Sequence, residues 1–241
     1  MFIKMIIFHL FLRLKPHFII NKMSQKYIAS FDIGKCNFAF YIEEFEEEKL
    51  KTIKNIPKLK RYNSDGTPTE DFVNVMSSIY LNGNKVLYRN LDLTKGTNKD
   101  KYLDKKIFMN MIKALDEYRE YFDKCSIIVI EQQMSFKAAQ NTMAIKLGQH
   151  CFSYFLFRYG EEKEIVEFPA YYKTQILGAP KKMTKPQRKK WATEKAVDIL
   201  MERGDMETLD EIVSQKKKDD LADVLIQLQS FKFLRYVEQN L

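Results

Sequence analysis

A chain of 241 residues with 45% hydrophobic side chains holds enough apolar surface for one large globular domain or two small ones, and no internal repeat or heptad array argues for anything else. Its 40 Lys and Arg against 32 Asp and Glu leave a formal charge of +8, concentrated in residues 181–190 and 216–218, which suits a polyanion such as nucleic acid; solubility is the plainer reading. Three cysteines without CxxC spacing and three histidines argue against a disulfide framework, a zinc knuckle, a His-built metal site and a Ser-His-Asp triad, and they fit a reducing, intracellular compartment.

Residues 1–22 are apolar and free of acidic side chains, but Lys4, His9, Arg13, Lys15 and His17 interrupt them, so no run of about 20 apolar residues exists to span a membrane. Three readings compete: an amphipathic targeting peptide, mitochondrial included, a weak signal-like sequence, or a translated leader ahead of a start at Met23. The last is favoured because Met23 stands just before the first well-patterned strand, which leaves residues 23–241 as one domain.

Tyr27–Asp32 is a short β-prone run, Ile33-Gly34 punctuates it, and Cys36–Ile42 is a second run rich in Phe and Tyr; together they predict two antiparallel strands joined by a tight turn. Acidic Glu43–Glu48 and the polar, turn-rich Asn63–Pro68 predict an excursion of weak order. Lys85–Leu93 reads as a third strand. In Asp100–Lys124 the apolar residues Ile107, Met111, Ala114, Leu115, Tyr118 and Phe122 fall at helical spacing. The continuous β-branched run Ser126–Ile130 is what a central strand covered on both faces looks like, and it ends in Glu131. A largely apolar helix over Ala138–Tyr159, a strand over Glu164–Phe168, an amphipathic helix over Pro186–Glu202 and a closing helix over Asp219–Leu234 complete an α/β pattern.

The chemistry lies at the ends of these elements. Asp32 closes a buried-looking strand beside Gly34, although an Asp before a turn residue is also ordinary turn chemistry. Glu131 closes a strand of the core, where a carboxylate without a cation costs several kcal/mol. In the closing helix Asp219, Asp220 and Asp223 share one side, opposite Leu221, Val224, Leu225 and Leu228; acidic residues also favour a helix start for its own sake. Taken together, carboxylates from distant segments are how an oxygen-only Mg²⁺ or Mn²⁺ site is built, and two such ions about 4 Å apart suit cleavage of a phosphodiester.

The order Phe31-Asp32-Ile33-Gly34 with Asn37, then Ile128-Val129-Ile130-Glu131-Gln132-Gln133, then Lys217-Lys218-Asp219-Asp220-Leu221-Ala222-Asp223 resembles the RuvC-like Holliday junction resolvases. It is most similar to the poxvirus and fungal mitochondrial branches, whose terminal motif is of the form K-K-D-D-x-x-D, and the resemblance spans Tyr27 to Ser230. The resemblance implies an RNase H-like fold, with a mixed central sheet whose first strands are antiparallel. It also implies a homodimer and a Mg²⁺-dependent endonuclease, with Mn²⁺ as substitute, that nicks four-way junction DNA symmetrically in recombination, repair or the processing of replication intermediates. Carried over by motif, Asp32, Glu131, Asp220 and Asp223 would be metal ligands, with Asp219 an adjacent carboxylate of unassigned role. Lys173 would contact phosphate, as would Lys181, Lys182 and Lys189, and Lys189 or Lys190 would stand at the position of the active-site lysine, Lys190 being preferred.

Residues 50–84 are expanded relative to the bacterial pattern. Phe136 and the pair Tyr171-Tyr172 are candidates for stacking on bases, with core packing as the plainer role. An actin-like phosphotransferase is disfavoured because the eight glycines include no Gly-Gly pair. The remaining alternatives are another RNase H-like nuclease, acting on RNA–DNA hybrid or branched DNA, and a junction-binding protein without catalysis. A composition rich in Lys, Ile, Asn and Phe fits an AT-rich genome such as that of a large DNA virus, whose replication site would then be the place of action.

Overall fold

Strand β1 (Gln25–Asp32) sends alternate side chains into two apolar layers, and this double burial makes it the middle of the molecule. Ala29 and Phe31 enter one layer with Phe38, Phe40, Phe122 and Phe155; Ile28 enters the other with Ala39, Tyr41, Val129 and Phe168. The computed structural model describes residues 25–97, 105–133, 142–214 and 219–241; the expectations for residues 1–22, Lys216–Lys218 and Phe136 lie outside them.

β1 pairs antiparallel with β2 (Phe38–Glu46), which pairs antiparallel with β3 (Asn84–Leu91). On its other side β1 pairs parallel with β4 (Cys125–Gln132), and β4 parallel with β5 (Glu164–Pro169), giving the order β3-β2-β1-β4-β5. This is the mixed, RNase H-like sheet that the sequence predicts, and the β-branched run is indeed a strand between two parallel neighbours.

Each face carries its own helices. The Phe-rich face is covered by α3 (Lys105–Glu117), α4 (Arg119–Lys124) and α5 (Thr142–Tyr159). The other face is covered by α2 (Glu70–Leu81), α6 (Tyr171–Ile176), α7 (Lys185–Arg203), α8 (Met206–Ser214) and α9 (Asp219–Lys232), with α9 running on into a π-helical turn, Phe233–Glu238. A short α1 (Glu47–Lys51) adds Leu50 to this side. The start of α7 is fixed locally: Thr184 and Gln187 form a capping box around Pro186 in the first turn, and Gly204, at φ 68°, ends the helix in the left-handed conformation.

Three expectations are corrected. Glu43–Glu48 is not weakly ordered: β2 continues to Glu46 and α1 follows at once, because Glu43 is fully buried against Arg203 and Lys232. Asn63–Pro68 is a closed turn, with Asn63 N–H donating to the Thr67 carbonyl and Asp65 accepting from the Thr67 N–H and hydroxyl. The helix expected over Asp100–Lys124 is two helices, α3 and α4, because Tyr118 leaves helical geometry at φ −101°, ψ 16°. Helix α2, inside the expanded region, and helix α8 were not expected at all. Among the described residues no helix is long and apolar enough to cross a membrane.

Candidate active site

Strand register gathers the site before any side chain is considered. The parallel pair Phe31–Ile130 sets Asp32 beside Glu131 where β1 and β4 end, and the antiparallel pairs Asp32–Ala39 and Ala39–Asn90 continue the same row to the edge strand. Paired residues share a face, so Glu131, Asp32, Ala39 and Asn90 all look toward the layer that α9 occupies.

Helix α9 lies across this row because Leu221, Val224, Leu225 and Leu228 bury completely. Gln227, one turn beyond Asp223, donates through Nε2 to Ser30 Oγ (3.0 Å) and to the Phe31 carbonyl (3.1 Å), which ties the helix to β1. Asp223 is thereby brought over the strand ends. The fourth contributor is α6, which starts two residues after β5 ends and so delivers Lys173 to the same spot. Its Nζ stands 2.8 Å from Glu131 Oε1 and 2.9 Å from Asp223 Oδ1. The cation that a partly buried Glu131 at a strand end requires is Lys173.

The electrostatics follow from burial and surplus negative charge. Burial, then the facing Glu131 carboxylate, pushes Asp32 well above the ordinary carboxylate range despite the pull of Lys173. Burial also pushes on Glu131, but Lys173 and the hydrogen bonds from Asp32, Lys173 and Gln133 outweigh it and hold Glu131 below its ordinary value. Asp223 is raised, by burial first and by Glu131 next, against the pull of Lys173. Burial alone would lower Lys173; the surrounding Glu131, Asp223 and Asp32 raise it instead, so it remains an ammonium.

The other two acidic residues of α9 have separate partners. Asp220, 7% exposed, accepts a 2.9 Å hydrogen bond at Oδ2 from Asn90 Nδ2, and Asp219 pairs with Lys189 of α7. Among the described residues no three His, Cys, Asp or Glu side chains are gathered closely enough to hold a metal ion. The carboxylates are arranged around an ammonium group instead, and an all-oxygen set with excess negative charge is the donor chemistry of a hard divalent cation.

Over 235 residues the chain is 34% identical to protein 170L of Invertebrate iridescent virus 6, a match covering 88% of this chain and 91% of that protein. The chain belongs to this viral family. Protein 97L of Invertebrate iridescent virus 3 is a second member, 32% identical over 215 residues that cover 85% of this chain and 98% of that protein. No protein-family model matches. Similar solved structures include the fowlpox virus resolvase in complex with substrate Holliday junction DNA, at 16% identity and a TM-score of 0.48 over 86% of this chain and 96% of that one. The yeast mitochondrial Holliday junction resolvase (14%, TM-score 0.44, 89% and 86%) and Thermus thermophilus RuvC (8%, TM-score 0.46, 87% and 95%) are others.

In this member of the iridescent virus family, the remaining sequence-marked residues lie outside the carboxylate cluster. Lys190 is exposed and faces Glu194 on its own helix at 3.6 Å, and Lys181 and Lys182 are exposed on the approach to α7. Tyr172 packs on Phe168, whereas Tyr171 is 46% exposed. Sequence reasoning passed over Asn90 altogether: a lone Asn on an edge strand carries no signal of its partner. Lys173 was marked as a phosphate contact; its place between Glu131 and Asp223 was signalled only by the need of a buried Glu for a cation.

Proposed function

We propose that the protein is a metal-dependent endonuclease that resolves four-way DNA junctions, working as a homodimer that cuts paired strands. The observation that carries this reading is the convergence of Asp32, Glu131 and Asp223, from β1, β4 and α9, around the Lys173 ammonium, which pairs with Glu131 and Asp223. The motif order that resembles the junction resolvases supports the choice of substrate.

Asp32, Glu131, Asp220 and Asp223 would hold the cation, Mg²⁺ or Mn²⁺, and their chemistry fits it: an all-oxygen donor set in which the Asp32 and Glu131 carboxyl groups face each other at the ends of adjacent strands. When bound, such an ion polarises the scissile phosphate and lowers the pKa of an attacking water. The chain's own residues do the rest. Glu131 and Asp223 fix the position of Lys173, whose remaining N–H donor and positive charge then face the phosphate oxygens on which charge develops. Lys181 and Lys182 on the exposed approach to α7, with Lys189 in its second turn, hold the flanking backbone by charge, which makes binding fall steeply with salt.

The test offers purified protein a synthetic four-way junction, a linear duplex, a flap and an RNA–DNA hybrid, with Mg²⁺, Mn²⁺ or a chelator. Preferential, metal-dependent, symmetric cutting of the junction is expected. Equal cutting of all four substrates would remove the junction reading, and junction cleavage that survives both Glu131→Gln and Asp223→Asn would remove the site.

A further inference from the structure

The edge strand β3 reaches the site through a contact that spans 130 residues of sequence, the hydrogen bond from Asn90 to Asp220. Three features make this contact specific. Asn90 follows Tyr88 on the α9-facing side of β3, and whereas Tyr88 is buried in the apolar layer, Asn90 lies in the row of Asp32 and Glu131. Between Asn90 and Asp32 that row holds only the small, fully buried Ala39, so the first turn of α9 meets no bulky side chain from β2 there. Asp220 itself is buried, and a buried carboxylate needs donors to hold it in one orientation.

The kind of donor matters. Asp219 meets the ammonium of Lys189 and Asp223 meets that of Lys173; what β3 brings to Asp220 is the neutral amide of Asn90. A neutral donor fixes the plane of a carboxylate without cancelling its charge, which is what an outer partner of a cation ligand does.

We propose that Asn90 is a positioning residue: it orients Asp220 toward the carboxylate row so that the site takes up a divalent cation. This rests on the metal-dependent reading above, and a purely structural alternative is that Asn90 only tethers the start of α9 to the sheet.

The experiment measures Mn²⁺ binding by electron paramagnetic resonance on full-length wild type, Asn90→Ala and the exchange variant Asn90→Asp/Asp220→Asn, together with thermal unfolding and metal-free junction binding. Asn90→Ala is expected to lower Mn²⁺ affinity about tenfold or more while junction affinity in chelator stays unchanged. The exchange variant rebuilds an amide–carboxylate pair with the roles reversed, so it is expected to recover the melting temperature and to keep the Mn²⁺ defect. Wild-type Mn²⁺ affinity in Asn90→Ala overturns the proposal, as does an exchange variant that recovers Mn²⁺ affinity along with stability. Should Asn90→Ala fail to fold, Asn90→Ser, which keeps Asp220 and a small polar side chain, takes its place with the same expected Mn²⁺ defect and the same overturning result. A wild-type protein that binds no Mn²⁺ overturns this inference and the metal-dependent reading together, whereas wild-type binding with an unaffected Asn90→Ala removes only the role of Asn90.

Discussion

Helix α9 buries charge at both of its ends, and the two clusters are built to opposite rules. At the far end, Lys232 is fully buried and donates to Glu43 Oε1 (2.6 Å), to the carbonyls of Ile79 (3.1 Å) and Asn82 (2.7 Å), and to Gln229 Oε1 (3.3 Å). The second oxygen of Glu43 accepts from Gln229 Nε2 (3.0 Å) and faces Arg203 Nη2 at 2.8 Å, an ion pair not aligned for a hydrogen bond. One carboxylate there meets two cations, and carbonyl groups take up the spare donors. At the near end, among the described residues, the Lys173 ammonium is shared by two carboxylates with a third, Asp32, beside them, and the side chains of Glu131 and Asp223 keep 11% and 23% exposure where those of Glu43 and Lys232 keep none. A cluster sealed from solvent, with its donors and acceptors taken up, joins β2, α2, α7 and α9 into one body. A cluster left negative and open has capacity for something further.

The contrast can be broken most decisively at Glu131. Glu131→Gln is expected to cut single-turnover junction cleavage by roughly 10³-fold or more, about 4 kcal/mol of barrier, with little change in melting temperature. A large loss of stability instead would make the near cluster structural like the far one.

Glu43→Gln should do the reverse, costing about 3 kcal/mol in denaturant unfolding because two buried cations lose their counter-charge, with cleavage by the folded fraction unchanged. The same variant gives a pH test. Burial works against the Glu43 carboxylate, but Arg203 and Lys232 outweigh it and hold its pKa below the ordinary 4.5. Its stabilising contribution is therefore complete above pH 4.5 and lost as pH falls through the folded value, so the gap between wild type and Glu43→Gln should narrow in acid. Melting curves that stay parallel down to the acid limb would contradict it.

Gly83→Ala is expected to cost about 1–3 kcal/mol, since a methyl group there would press on Glu43 Oε1 and stand 2.8 Å from Arg203 Nη2. The smallest effect belongs to Lys190→Ala. It should leave melting temperature and cleavage rate within experimental scatter, whereas Lys173→Ala should stop cleavage; the opposite ranking would return the active-site role to Lys190.

Much of the near cluster was readable in the sequence because each carboxylate belongs to an element whose pattern is local: a short strand before Asp32, a β-branched run before Glu131, helical spacing around Asp223. What was not readable depends on distance. Lys173 is 42 residues from Glu131, and only the short step from β5 into α6 makes it, rather than Lys190, the residue that arrives. Asn90 and Asp220 are 130 residues apart and join two elements with no shared local pattern. The acidic run Glu43–Glu48 misled for the same reason: charge runs are usually solvated, and the Lys232 that makes this one a buried strand lies 189 residues away from Glu43. Helix α2 was within reach, since Phe72, Met76, Ile79 and Tyr80 bury at helical spacing, but neighbouring turn residues drew the whole stretch into an excursion.

The bond from Gln227 to β1 acts as an index mark. Four residues of helix advance about 6 Å, and two residues of strand about 6.6 Å, so seating Gln227 on Ser30 sets Asp223 over Asp32 with little left to adjust. A slip of one residue would turn the helix by about 100° and present Ala222 or Val224 to Lys173 instead. An apolar stripe alone tolerates such a slip, because Leu and Val fill one another's places at modest cost. The polar bond adds little to net stability, but it selects which residue of α9 meets the strand ends, and so converts a greasy contact into a register accurate to one residue.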